Sequence, residues 1–260
     1  PRKWNPITGC PKLHEENGRI VGCKTPDGYS YCYQADMCNR FPKIHKPEYR
    51  FHEDRIYQIN FDKPSIVAVG TSGDFPAYFW KNNSEDITEK MLELVEKMKN
   101  TFRHFFIFLT RFPENYFKSS DNIGIGATVT KIQEIDRIRE LKNHPAFMRW
   151  IMLEPLFMSY EEVKSLSNDI FEGIDWIVVG ALKHKNKKLQ ERWRPEERTI
   201  WELIGKARST ETKVFLKNSI LKTHSVFSVF AGGIEYGARF REYPPQFYQW
   251  AEEMEILDDL

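Results

Sequence analysis

No cysteine occurs after residue 38 of this 260-residue chain, and all four cysteines lie within the first 38 residues. A disulfide scaffold belongs to small secreted chains. Thiols clustered at one end of a chain long enough to bury a large core point instead to a metal site in a reducing compartment. Long apolar runs are also lacking. The longest, 65–70 and 105–109, fall far short of the roughly 20 residues that a membrane span requires. The opening Pro-Arg-Lys-Trp-Asn-Pro has no apolar signal core. A cytoplasmic protein with no membrane partner is the expectation. There is no excess of either charge: 38 Lys and Arg stand against 37 Asp and Glu, a formal +1, so no global field draws the chain to nucleic acid and any charged recognition is local. No Gly-x-x-x-x-Gly-Lys-Ser/Thr element is present. The Gly-Ile-Gly-Ala at 124–127 falls inside a strand pattern, which leaves nucleotide-triphosphate and dinucleotide folds without support. The histidines show no paired ligand spacing.

What is present is an alternation. Near-continuous apolar runs occur at 65–70 (SIVAVG), 105–110 (FFIFLT), 122–129 (NIGIGATV), 149–154 (RWIMLE), 175–180 (DWIVVG) and 213–217 (KVFLK). Such runs mark parallel strands buried on both faces. Between them, 84–100 carries Ile87, Met91, Leu94, Val95 and Met98 at helical spacing, with Ser84 placed to cap it. Ile132, Ile135 and Ile138 mark a second helix, and 161–166 and 196–207 give weaker ones. With a first strand over 4–9 the repeat has about seven strands, which suits an α/β fold, a full or partial (β/α) barrel, with an open doubly wound sheet as the alternative. The expectation is one domain over 1–260. Within it, 1–40 is the cysteine segment, 39–63 is an irregular excursion, and 219–260 is a C-terminal extension closing in a helix over 246–256.

In such folds chemistry collects at the carboxyl ends of strands. There the sequence places Cys10, then 71–74 (TSGD), Thr110-Arg111, Thr128-Val129-Thr130, Glu154-Pro155 and the basic loop after Gly180. Glu154 closes an apolar run, so it is either paired, for instance with Arg111 or Arg149, or opens into a cavity. Lys217-Asn218 is a weaker case of the same kind. Lys183, Lys185, Lys187, Lys188, Arg192 and Arg194, with His184 and Trp193 among them, form either a solvated face or a flap suited to a phosphate-bearing substrate.

The cysteines fall in the blocks Trp4-Asn5-Pro6-Ile7-Thr8-Gly9-Cys10, Gly22-Cys23 and Tyr31-Cys32-Tyr33-Gln34-Ala35. These blocks resemble the opening of a phage- and prokaryote-associated family of radical S-adenosylmethionine-like proteins. The later runs 69–75 (VGTSGDF), 108–113 (FLTRFP), 154–156 (EPL) and 175–180 are similar to that family's later blocks in the same order, so the resemblance spans roughly residues 4–220. It implies a partial barrel of radical-SAM type and a [4Fe–4S] cluster on Cys10, Cys23 and Cys32. Three thiolates leave one iron open for S-adenosylmethionine. It implies reductive cleavage of that cofactor to a 5′-deoxyadenosyl radical, fed by an external donor of flavodoxin or ferredoxin type. Ser72, Gly73 and Asp74 match the turn that receives the methionine amino group. Thr128 or Thr130 would meet the ribose or carboxylate, Tyr31 or Tyr33 the adenine, and Glu154 and Arg111 would serve the site, with a nucleotide or nucleic acid as one substrate class.

The spacing Cys10-x12-Cys23-x8-Cys32 is longer than that family's compact spacing. The excess lies in two polar, turn-rich insertions, 14–18 and 24–28. Cys38 is then a spare buried thiol, a fourth ligand, or the third ligand in place of Cys32. A four-cysteine zinc site is the plain alternative, although the paired Cys-x2–4-Cys spacing of zinc knuckles is missing. An iron–sulfur or zinc protein that binds nucleic acid without chemistry, and a lyase for damaged DNA, are the rival functions.

Overall fold

A computed structural model describes residues 2–56, 58–59, 61–77, 93–101, 103–224, 230–231, 234–235 and 240–256. The chain divides into two compact units, one ending at Ile123 and the other beginning at Gly124. No linker marks that boundary, which falls inside a strand. Seven strands form parallel ladders, giving a mixed α/β architecture.

In the first unit, β1 (Arg2–Trp4) pairs with β6 (Ser65–Val69), and β6 pairs with β7 (His104–Phe108), all parallel. Both neighbours of β6 are strands, and its Val67 and Val69 are buried, as are Phe105, Phe106 and Phe108, as expected of strands covered on both faces. Phe75 and Phe117 pack edge-on against Phe108 at 5.1 and 5.2 Å between ring centroids. A helical stretch occupies 93–99, with Leu94, Val95 and Met98 buried. The expected cap Ser84, with Ile87 and Met91, lies outside the described residues.

The first strand differs from the expected 4–9. The parallel ladder stops at Trp4, and β2 (Ile7–Thr8) pairs antiparallel with β5 (Arg50–Phe51). Pro6 has no N–H to continue a ladder. The side chain of Asn5 instead accepts from Ser72 N at 2.9 Å and Thr71 Oγ1 at 3.1 Å. Within 39–63 this run holds Arg55: Trp4 Nε1 donates to Arg55 O at 2.8 Å, and Arg55 donates to Asn5 O at 3.1 Å.

The insertions between the cysteines fold back on themselves. β3 (His14–Glu16) and β4 (Arg19–Val21) make a hairpin. Its turn residues Asn17 and Gly18 both take positive φ, 51° and 72°, the primed geometry that an Asn-Gly pair favours. The second insertion closes with an antiparallel bridge between Lys24 and Ser30 and with Thr25 N donating to Tyr29 O at 2.8 Å. Each excursion therefore returns to its starting point. After it, α1 (Tyr33–Arg40) begins with Cys32 as its N-cap residue.

In the second unit β8 (Ile123–Thr128), β9 (Met148–Leu153), β10 (Trp176–Val179) and β11 (Lys213–Leu216) are parallel in that order. The expected second helix starts as a 3-10 turn over Ile132–Glu134 and continues as α2 (Asp136–Lys142). α3 (Tyr160–Ser165) opens on a capping box between Ser159 and Glu162. α4 (Lys187–Arg192) lies within what the sequence offered as a basic loop, and α5 (Glu197–Ser209) buries Ile200, Leu203, Ile204 and Ala207. α6 (Asn218–Leu221) follows β11 at once, and α7 (Pro245–Glu253) is the expected closing helix. Gly232, Gly233 and Gly237 of the C-terminal stretch lie outside the described residues. No helix among the described residues is long and apolar enough to cross a membrane.

Candidate functional site

The first unit gathers its chemistry where β1, β6 and β7 end. Gly9 N donates to Ser72 O at 3.1 Å, and Asp74 N donates to Gly9 O at 3.2 Å. These bonds clip the residue before Cys10 to the 71–74 turn. Close backbone approaches dictate both glycines, that of the 48–49 segment at Gly9 and that of the 7–9 run at Gly73. Gly9 has φ +91° and a Cβ there would lie 2.3 Å from Glu48 O, while a Cβ on Gly73 would lie 2.9 Å from both Gly9 O and Ile7 O.

The three thiols meet at this point. Cys23 Sγ donates to Cys32 Sγ, and Cys10 lies within the electrostatic reach of both Cys23 and Cys32. Accepting that bond lowers the Cys32 thiol to about 6, helped by the backbone N–H groups of Ala35 and Gln34 in the first turn of α1. Donation to Cys32 and burial push the Cys23 thiol up. Burial is also the main cause that raises Cys10 to about 11, and the Asp74 and Cys32 charges add to it. The guanidinium of Arg111 opposes both rises. It also donates to the Tyr31 hydroxyl at 3.1 Å. The site is thus a thiol triad with one cation beside it.

Asp74 is buried, and its carboxylate is committed to the protein. Oδ1 accepts from Thr110 Oγ1 and, at 3.2 Å, from Ala77 N, while Oδ2 accepts from Arg111 N at 3.0 Å. Burial raises its pKa against the pull of these donors. The residue joins the turn after β6 to the turn after β7, so its visible work is to position Arg111. Thr110, which the sequence already places at a strand end, belongs to this neighbourhood, as do Asn5 and Tyr49, to which the sequence assigned no role. Tyr49, whose hydroxyl is raised by burial and by Asp74 and Cys10, sits in a segment with no periodicity to mark it. Tyr33 follows Cys32 at the start of α1 and is 68% exposed. Cys38 is buried on α1, yet it lines a cavity of about 670 Å³ together with Cys10, His45 and Tyr49.

In the second unit the predicted residues divide. Thr130 gives both its N–H and its hydroxyl to Glu134 Oε2 at 2.8 Å, and Glu134 also pairs with Arg137 at 3.0 Å; these bonds close the turn into α2. Thr128 is buried, with its carbonyl accepting from Arg137 at 2.8 Å. Glu154 does have a cationic partner, but it is Lys217, at 2.5 Å, from the end of β11. Arg149, one of the two partners the sequence offered, donates its guanidinium to His144 O at 2.7 and 3.1 Å. The β9–β10–β11 register brings the ends of β9 and β11 to the same level, and this alone selects Lys217.

Among the described residues no three His, Cys, Asp or Glu side chains converge on the position of a single metal ion. The three thiolates of a cubane bind three different irons and do not require that convergence. The donor set, three neighbouring thiols with one already disposed to ionise, fits such a cluster. One family, described as a protein of unknown function (DUF5131), matches residues 1–217. The chain belongs to the DUF5131 family. The matched span takes in all four cysteines, the 71–74 turn, Arg111, Glu154 and Lys217. No curated protein and no solved structure matches the chain.

Proposed function

We propose that this DUF5131 protein is a radical S-adenosylmethionine enzyme on a partial (β/α) barrel, with Cys10, Cys23 and Cys32 as the ligands of a [4Fe–4S] cluster. The supporting observation is the meeting of these three thiols beside Arg111 at the carboxyl ends of β1, β6 and β7, despite 12 and 8 residues between successive cysteines. When bound there, such a cluster supplies the electron that cleaves S-adenosylmethionine into methionine and a 5′-deoxyadenosyl radical.

The chain's own part is to hold and ionise. The first turn of α1 stabilises the Cys32 thiolate, and Arg111 lowers the cost of ionising Cys10 and Cys23. Asp74 and Thr110 fix the turn that carries Arg111. Ser72 and Gly73 lie on the turn that abuts the residue before Cys10, a position that supports their assignment to the cofactor's amino group. In the second unit, taken by itself, the carboxyl-end rule supports Thr128 and Glu154 as site residues. Electrons would come from a flavodoxin- or ferredoxin-type donor.

The test is anaerobic reconstitution with iron and sulfide, followed by dithionite and S-adenosylmethionine. Uptake of about four irons per chain with formation of 5′-deoxyadenosine is the expected result. Tight zinc binding with no iron–sulfur absorption would overturn the reading in favour of a zinc protein.

A further inference from the structure

The second unit carries a separate concavity of about 580 Å³ at the carboxyl ends of β10 and β11. Two segments build it. The stretch after β10 contributes Lys183, His184, Lys185 and Lys187, and the stretch after β11 contributes Asn218, Ser219 and Lys222. They are held together by Ala181 N donating to the buried Ser219 Oγ at 3.0 Å, and by Lys217 N donating to Val179 O at 2.9 Å. Four lysines therefore face one hollow, and no carboxylate is among its lining residues. Positive charges gathered around a concavity raise the local concentration of anions there.

Three of the polar side chains in the lining point to the same conclusion, whereas the Thr223 hydroxyl donates to Ser219 O and Ile220 O. Ser219 Oγ accepts from Ala181 N, which leaves its O–H to donate. Nδ1 of His184 accepts from Asn186 N at 3.1 Å, so the neutral ring carries its proton on Nε2. Oδ1 of Asn218 accepts from the Arg241 guanidinium, which leaves its amide N–H groups. In each case the protein consumes an acceptor and a donor remains. A hollow of cations and donors is chemically complementary to phosphate oxygens.

We propose that this hollow binds the phosphate group of a small phosphate ester of about nucleotide size. Its volume lies in the range of small-ligand sites, roughly 300–1,000 Å³. A nucleic-acid strand is the poorer fit: the lining offers no Phe, Tyr or Trp for bases to stack on, and the near-neutral chain lacks an extended basic track. As the substrate's anchor the site rests on the radical reading above; as a binding site it does not.

The experiment measures binding of adenosine 5′-monophosphate, inorganic phosphate and an oligothymidylate strand to the full chain by calorimetry. Lys187→Glu/Lys222→Glu and the milder Lys187→Gln/Lys222→Gln are compared, and thermal melting checks that each variant folds. Adenosine 5′-monophosphate should bind. Its dissociation constant should rise about tenfold or more in the Glu variant and less in the Gln variant, and raising salt should weaken it. Binding of inorganic phosphate alone, with the same losses, would assign the hollow to free phosphate and overturn the ester. Oligothymidylate binding more tightly than the monophosphate, with the same losses, would overturn it for a strand. No binding, or equal binding by all variants, would remove the site. Iron uptake and 5′-deoxyadenosine formation are read separately on the unsubstituted chain, so loss of the radical reading leaves the binding result standing and the reverse also holds.

Discussion

The Arg111 guanidinium donates to the Tyr31 hydroxyl at 3.1 Å, joining the end of β7 to the residue before Cys32 across 80 positions of sequence. The contact places a permanent cation among thiols that burial would otherwise keep protonated. Arg111 is itself held by Asp74 through its own backbone N–H at 3.0 Å. Thiol chemistry, a strand end and a buried carboxylate are thus one connected unit.

Arg111→Gln removes the charge that lowers Cys10 and Cys23. Both thiols should then ionise at higher pH, because each thiolate loses a stabilising positive charge beside it. In cluster-free protein at fixed pH their alkylation by iodoacetamide should slow, while Cys32, held low mainly by Cys23 and backbone donors, should change little. Mass mapping of the labelled peptides reads this, and equal slowing at all three would refute it.

Replacing Cys10, Cys23 or Cys32 by Ser should each abolish iron binding after anaerobic reconstitution, whereas Cys38→Ala should retain it. Cys38 is buried on α1, where burial and the Cys32 and Glu48 charges raise its thiol, whereas the Arg111 charge favours ionisation of Cys10 and Cys23. Iron loss in the Cys38 variant would make it a ligand.

Asp74→Ala should destabilise the fold by about 2–4 kcal/mol in urea unfolding. The substitution strands Thr110 Oγ1 and the N–H groups of Ala77 and Arg111. A change near zero would mean that the carboxylate is kept for a ligand and does not brace the turns.

A Cβ on Gly180 would lie 2.5 Å from Glu154 Oε1 and 2.7 Å from its Cγ. Gly180→Ala should therefore push Glu154 off Lys217 and cost about 1–3 kcal/mol. Glu154→Ala should relieve much of that cost in the double variant, an interaction energy read by a double-mutant cycle. Strict additivity would show that the two residues do not touch.

His104 is 1% exposed, and burial, aided by Arg103, holds its ring below the ordinary 6.5. Because the folded value is the lower one, the unfolded chain takes the proton first as pH falls. The contribution to stability is present above about pH 6.5 and is lost below it, by up to roughly 1.4 kcal/mol per pH unit within the window. Among the described residues its buried Nδ1 has no hydrogen-bond partner. His104→Phe should accordingly raise the melting temperature and flatten its decline between about pH 7 and 5. A steeper decline would contradict this.

The sequence by itself determined six of the seven parallel strands to within a residue or two, because a strand covered on both faces must be apolar throughout and 65–69, 105–108 and 176–179 satisfy that locally. It also determined which side chains stand at strand ends, since that follows from where each apolar run stops. Only the tertiary structure decided what those side chains touch. Glu154 found Lys217 through the register of β9, β10 and β11, and Asp74 turned inward to Thr110 and Arg111. The run 4–9 broke at Pro6 and joined two different sheets. Lys222 reached the lysines after β10 because Ser219 is bonded to Ala181. Apolar periodicity is written along the chain, residue by residue. A hydrogen bond between residues 38 or 63 positions apart depends on packing that no local pattern encodes.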